Sequence, residues 1–200
     1  MEHPPPSLPE TTVSRSLLDL LEENPVVASV KDEEGLEAVL RTDCPVVFLL
    51  YGSVLDISST VRRLKDAGRT VLVNVDLLEG LAGKEIVVSF IRENTAADGI
   101  LSSKAFMVRA AREQGLFAVH RFFLIDSFSY RNLARQLSIS KADAIEILPG
   151  CMPRVIGWVV ADIDAPVIAG GLVCDKEDVI AALQAGATAI ASSNQDVWRM

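Results

Sequence analysis

Along this chain, a strand-length apolar run followed by an amphipathic helical pattern recurs about eight times. The runs are Val26–Val30, Val46–Leu50, Thr70–Asp76, Gly99–Ser102, Phe117–Phe122, Ala144–Leu148, Val167–Ala169 and Ala189–Ala191. The intervening helical patterns centre on Glu37, Arg63, Val88, Arg109, Leu133, Ile156 and Val179, with a stub near Trp198. A helix between two strands returns the chain to start its next strand in the same direction, so this alternation predicts a parallel sheet. About eight such units close on themselves as a (β/α)8 barrel of the TIM type. Two hundred residues are few for that fold, so the loops must be short. Half of the chain is hydrophobic, as strands covered on both faces require. Gly68, Gly115 and Gly186 stand where helices should end, and Asp32, Asp56, Ser127 and Asp175 where helices should be capped. The alternative, an open doubly wound sheet, lacks its glycine fingerprint: VASVKDEEG follows where G-x-G-x-x-G should stand.

No linker divides residues 14–200, which read as one domain opened by a short helix over Ser14–Glu23. Residues 1–13 are proline-rich and are expected to be a disordered tail. They carry neither the basic nor the apolar region of a signal peptide, and no apolar run approaches the ~20 residues of a membrane helix. A cytoplasmic protein with no membrane partner is expected. Cys44, Cys151 and Cys174 have no C-x-x-C spacing and read as reduced thiols. No metal and no cofactor are expected. The net charge of −8 supplies no global field for nucleic acid.

In such a barrel, functional groups collect where the strands end. In VLVNVD (71–76) the valines share one face, so Asn74 and Asp76 point inward. Asp76 at the mouth is a candidate acceptor for a ligand hydroxyl, or else a cap or ion-pair partner. Glu146 lies between Ile145 and Ile147 and also points inward, where a carboxylate needs a cation or a ligand. Lys104 and Arg121 are the available cations. The alternation of FAVHRFF leaves open whether Arg121 or His120 is the inward residue. Gly170-Gly171 after the seventh strand lets backbone approach an anion. Ser192, Ser193 and Asn194 after the eighth add donors and open a helix near Gln195, whose N-terminus would favour a phosphate. A phosphate site after strands seven and eight follows.

The blocks NVDLLEGLAGKE (74–85), DGILSSK (98–104), RFFLIDS (121–127), IEILPG (145–150) and the stretch from Pro166 to Trp198 resemble the glycerol-uptake operon antiterminator regulatory protein family. The resemblance covers roughly residues 25–198 without large gaps. It implies a glycerol-3-phosphate-responsive regulator, not an enzyme, that binds leader mRNA of glycerol-utilisation genes. By matching position, Gly170, Gly171, Ser192, Ser193 and Asn194 would hold the phosphate of glycerol 3-phosphate, the effector. Asp76, Lys104, Arg121 and Glu146 are placed at its glycerol end from their strand-end positions. The chain departs from the expected pattern in the VLVNV before Asp76 and in its first βα unit.

RNA binding needs local cations and stacking aromatics. The basic clusters are Arg62-Arg63-Lys65-Arg69, Arg109-Arg112 and Arg131-Arg135, the last beside Tyr130. Each also reads as an ordinary solvated helix face, so an RNA surface is expected from a homodimer or a ligand-ordered loop. The competing function is a phosphosugar isomerase or lyase using Asp76 or Glu146 as general base and Lys104 or Arg121 as electrophile.

Overall fold

The computed structural model describes residues 16–200; the expected tail over 1–13 and the expected helix start at Ser14 lie outside the described residues. The chain opens with α1 (Leu17–Glu23), then runs β1 (Val26–Val30), α2 (Glu33–Val39), β2 (Val46–Leu49), α3 (Ile57–Asp66), β3 (Thr70–Asn74) and α4 (Ile86–Asn94). It continues through β4 (Gly99–Ser102), α5 (Ala105–Glu113), β5 (Phe117–Phe123), α6 (Ser127–Ser140), β6 (Ala144–Leu148) and α7 (Pro153–Asp162). It ends with β7 (Val167–Gly170), α8 (Lys176–Gln184), β8 (Ala189–Ser192) and a 3₁₀ turn over Val197–Arg199. The strands pair in sequence order, all parallel, and β8 closes on β1. The fold is therefore the (β/α)8 barrel that the alternation predicts.

Strand parity fills the barrel. Val27, Val46, Phe48, Leu72, Leu101, Val119, Ala144, Ile168, Ala189 and Ala191 form one buried interior cluster. Leu17 and Leu21 of α1 join that cluster. Because α1 ends just before β1 begins, it stoppers the end of the barrel where the strands start. The opposite end, where the strands finish, is left to the loops. The outward residues pack with the helices in two further clusters, one around β1 to β5 and one around β6 to β8.

The terminators act as expected: Gly68, Gly115 and Gly186 have φ of +75°, +75° and +100°. Asp32 and Asp175 cap α2 and α8 by accepting the N–H groups of Gly35 and Asp178. Two caps differ. Asp56 precedes α3 but accepts from Ser53 N at 2.6 Å, so it ties the loop and not the helix. The cap of α6 is Asp126, one residue before the expected Ser127; its carboxylate accepts from Phe128 and Ser129 N–H while the Ser129 hydroxyl accepts from Asp126 N–H. From one residue upstream, a single carboxylate oxygen, Asp126 Oδ1, reaches both free N–H groups of the first turn.

Candidate ligand site at the ends of the strands

The fifth strand resolves its ambiguous alternation. Val119 belongs to the interior cluster, so Arg121 points inward and His120 outward. Register then sets Arg121 directly beside Glu146 on β6. The Arg121 Nε donates to Glu146 Oε2 at 2.6 Å, with side chains 10% and 2% exposed. Burial pushes the Glu146 carboxyl up, and the Arg121 guanidinium pulls it back. Gly170, on the next strand, makes room for this pair: a Cβ there would collide with Glu146 Oε1. Its lack of a side chain is explained by the neighbouring carboxylate.

Above the pair lies a cavity of about 260 Å³. Arg121, Glu146 and Leu148 line it, with Gly171 and Leu172 from the loop after β7 and Ser193 from the loop after β8. Its volume falls below the ~300 Å³ where drug-sized pockets begin, which suits a small ligand. Gly171 and Leu172 take successive left-handed conformations, with φ of 71° and 57°. For leucine this conformation is uncommon and costs about 1–2 kcal/mol. Both residues of this strained turn line the cavity. Among the described residues, the N–H groups of Gly171, Leu172 and Ser193 donate to no protein acceptor.

The side chains of Ser192 and Asn194 do other work. Ser192 Oγ donates to Val173 O at 2.6 Å, and Asn194 Nδ2 donates to Cys174 O at 2.5 Å. They strap the loop after β8 to the loop after β7. The helix expected near Gln195 is a 3₁₀ turn of 3 residues, and Asn194 Oδ1 accepts from Asp196 N–H before it. So short a turn aligns too few peptide dipoles to act as an anion site. The expected helix-terminus contribution is therefore corrected: what this loop offers is backbone.

Asp76 and Lys104, grouped with Arg121 and Glu146 in the sequence reading, stand apart from this cavity. Asp76 Oδ1 accepts from Ser102 Oγ at 2.9 Å, and Oδ2 accepts from Ser103 N at 2.6 Å and Ser103 Oγ at 2.8 Å. Lys104 Nζ lies 3.3 Å from Asp76 Oδ1. Burial pushes the Asp76 carboxyl up, but the bonds from Ser103 and Ser102 and the Lys104 ammonium together hold it below the usual carboxylate range. Asn74 accepts from Asp76 N–H at 3.0 Å and shapes this turn. His120 lies behind it, its Nδ1 2.9 Å from Ser140 Oγ on α6 and its Nε2 3.4 Å from Ser103 O. Burial lowers its pKa to about 4, so the ring is neutral near pH 7.

Sequence reasoning missed Lys31. It lines a polar cavity of about 200 Å³ that shares Ser29 and Ser193 with the first. The signal was available: Val27, Ser29 and Lys31 follow one inward parity past the end of β1. The basic clusters separate by partner. Arg63 pairs with Glu33 and Glu37, Lys65 with Asp98, Arg109 with Glu85 and Glu113, and Arg112 with Asp143. Arg135 donates to Asn132 on its own helix at 3.2 Å, one turn from Arg131. Among the described residues, no group of 3 or more His, Cys, Asp or Glu is arranged to hold a metal ion, and no helix is long and apolar enough to cross a membrane.

Comparison with known proteins places this geometry. The chain is 48% identical over 184 residues to YgcP of Escherichia coli K12, an uncharacterized protein, covering 92% of this chain and 96% of that one. A glycerol uptake operon antiterminator regulatory protein from Listeria monocytogenes superposes with a TM-score of 0.84 at 27% identity, covering 88% of this chain and 95% of that one. A glycerol uptake operon antiterminator-related protein from Thermotoga maritima gives a TM-score of 0.77 at 31% identity, covering 88% and 98%. The family model of the glycerol-3-phosphate responsive antiterminator matches residues 26–198, from the first barrel strand to the final turn. The chain therefore belongs to the glycerol-3-phosphate responsive antiterminator family, a family of regulators.

Proposed function

We propose that this protein binds glycerol 3-phosphate in the cavity over Arg121 and Glu146, and in that state binds a leader mRNA so that transcription continues past a terminator. The observation that carries the ligand half is the cavity itself, with a buried ion pair as floor and unpartnered N–H groups of Gly171, Leu172 and Ser193 on its rim. The N–H groups receive phosphate oxygens, as glycine-rich backbone does without a side chain in the way. The glycerol hydroxyls face Arg121 and Glu146, a donor and an acceptor side by side. Because that pair is neutral as a whole, the charge of the phosphate needs another cation; Lys31, which lines the adjoining cavity with Ser193, Asp32 and Glu34, is the candidate. Ser192 and Asn194 hold the two phosphate loops together, Gly170 admits Glu146, and Asp76 and Lys104 brace the opposite rim.

The regulator family argues against the phosphosugar isomerase or lyase. Both oxygens of Asp76 are hydrogen-bonded outside the cavity, so it aims no free lone pair at a proton there, as a general base needs. Leader mRNA and its polymerase place the site of action in the cytoplasm.

The test is thermal unfolding with glycerol 3-phosphate, inorganic phosphate, glycerol and other sugar phosphates. A ligand that binds only the folded state stabilises it by about 2.7 kcal/mol at 100 times its Kd. Selective stabilisation by glycerol 3-phosphate is expected. Equal responses to glycerol 3-phosphate and inorganic phosphate would remove the glycerol half of the assignment.

A further inference from the structure

Among the described residues, two that are not glycine take a left-handed backbone: Lys141, with φ of 51°, and Leu172, with φ of 57°. Lys141 has a reason in its helix. It is the C-cap of α6, and its N–H closes the last turn by donating to Leu137 O at 2.8 Å. Leu172 caps no helix. It lies in the loop between β7 and α8, ahead of Asp175, which caps α8. A residue so strained persists only where its surroundings hold it, and such residues cluster at ligand clamps.

The surroundings hold Leu172 from both sides. Before it, Gly171 O accepts from Gly150 N–H at 2.8 Å, which ties the loop to the one after β6. After it, Val173 is buried in the core, and its carbonyl accepts from Ser192 Oγ at 2.6 Å. Next along, Cys174 N–H donates to Asp178 Oδ2 at 2.9 Å. Yet the Leu172 side chain itself is 67% exposed. Burial normally stabilises an ordered leucine, and most of that stabilisation is missing here. Glycine would take the same backbone without strain.

The ligand cavity supplies the missing partner. Leu172 lines it together with Leu50, just past β2, and Leu148, the last residue of β6. Leu148 follows Glu146 on the same parity, one step nearer the mouth. It packs against the loop: a Cβ on Gly171 would stand 3.1 Å from Leu148 Cδ2. The cavity thus combines a polar floor, Arg121 and Glu146, with three leucines from three different strand ends. Inorganic phosphate has no carbon for such a wall to cover. A glycerol phosphate has three, between its phosphate and its hydroxyls.

We propose that Leu172 closes the cavity and sets its selectivity. Its side chain folds onto the carbon chain of a bound glycerol phosphate, against Leu148 and Leu50. Because the backbone on either side is tied down, closing needs only rotation about side-chain bonds. It buries the leucine and expels water from the floor, where the hydrogen bonds of Arg121 and Glu146 to the ligand then strengthen. The inference rests on the ligand reading above and adds to it the residue that separates a glycerol phosphate from phosphate alone.

Thermal unfolding of the full chain across a concentration series gives the affinity for glycerol 3-phosphate and for inorganic phosphate. The proteins are wild type, Leu172→Gly and Leu172→Met. Leu172→Gly should weaken glycerol 3-phosphate about ten-fold, the effect of losing the burial of most of one leucine, and leave inorganic phosphate unchanged. Leu172→Met keeps a flexible apolar body and should restore most of the affinity. Without ligand, the urea midpoint of Leu172→Gly should equal or exceed that of wild type, which shows that it folds. Labelling by iodoacetamide reads the closing itself. Cys174 is exposed and lines the cavity, and Cys151 is exposed outside it. Saturating glycerol 3-phosphate should slow labelling of Cys174 and not of Cys151 in wild type, and slow it less in Leu172→Gly. If Leu172→Gly binds glycerol 3-phosphate as wild type does, or weakens both ligands equally, Leu172 is not the selective cover while the cavity reading stands. If wild type shows no preference for glycerol 3-phosphate over inorganic phosphate, the ligand reading fails and the cover falls with it.

Discussion

Two acid–base pairs sit at the mouth of the barrel, and they do different things. Asp76 and Lys104, after β3 and at the start of α5, are part-buried, with Asp76 wrapped by Ser102 and Ser103. Glu146 and Arg121, two strands further round, are buried side by side under an open cavity. In sequence the four look alike, each near the end of a strand. The first pair has its hydrogen-bonding capacity filled by its own loop and so works as a clip. The second has one oxygen held by Arg121 and faces space, so it works as a floor on which a polar ligand can rest. What separates a brace from a site is whether the neighbours finish the hydrogen bonding.

The comparison predicts a graded series. Glu146→Ala leaves the Arg121 charge buried without its partner and should cost about 3–5 kcal/mol in urea unfolding, the usual penalty for halving a buried pair. Glu146→Gln keeps the shape and should cost less. A cost under about 1 kcal/mol for Glu146→Ala would show that the floor is wet and the two pairs are alike.

The next effect concerns His120, behind the Asp76 clip. Its folded pKa of about 4 lies below the ordinary value of 6.5, so the unfolded chain binds its proton first. Stability from this residue is complete above pH 6.5 and is lost as pH falls toward 4, by about 3 kcal/mol. Unfolding free energies of wild type and His120→Gln, measured between pH 7.5 and about 4, should converge as the pH drops. Parallel curves would show that the ring takes up its proton without cost.

Ligand affinity comes third. Gly171→Asp puts a carboxylate at the rim where the phosphate belongs and should weaken glycerol 3-phosphate by at least about 100-fold in calorimetry, about 2.7 kcal/mol. Gly171→Asn tolerates the same left-handed backbone without the charge and should bind closer to wild type. If Asp and Asn behave alike, the rim does not carry the phosphate.

The smallest effects belong to the clip. Asp76→Asn should cost about 1 kcal/mol, a few hydrogen bonds of a half-solvated group, and Lys104→Met less than that. Both should keep the thermal response to glycerol 3-phosphate. Its loss in Asp76→Asn would move the glycerol end to the other side of the mouth and overturn the division drawn here.

The fold was legible because periodicity carries it. Eight apolar runs with helical patterns between them leave few topologies, and parity alone aimed Glu146 inward and set the valines of β3 outward. Helix ends were legible at Gly68, Gly115 and Gly186, where only backbone conformation matters. The cap of α6 was misplaced by one residue because Asp126 and Ser127 both suit a cap, and local chemistry does not choose between them. The Gly170-Gly171 pair was visible, but its two members differ in role: one yields space to Glu146 and the other bends the rim. Ser192 and Asn194 were legible as donors, and which acceptors they reach was not, since Val173 and Cys174 arrive from the preceding unit.

By itself, then, the sequence determined the barrel, the strand ends where polar groups gather, and through its motifs the family. These follow from period, parity and backbone preference, which act over a few residues. Only the tertiary structure decided that Arg121 and not His120 enters the barrel, and that it meets Glu146 and not Asp76. Those are matters of register and of packing between distant segments, where a shift of one residue turns every side chain to the other face.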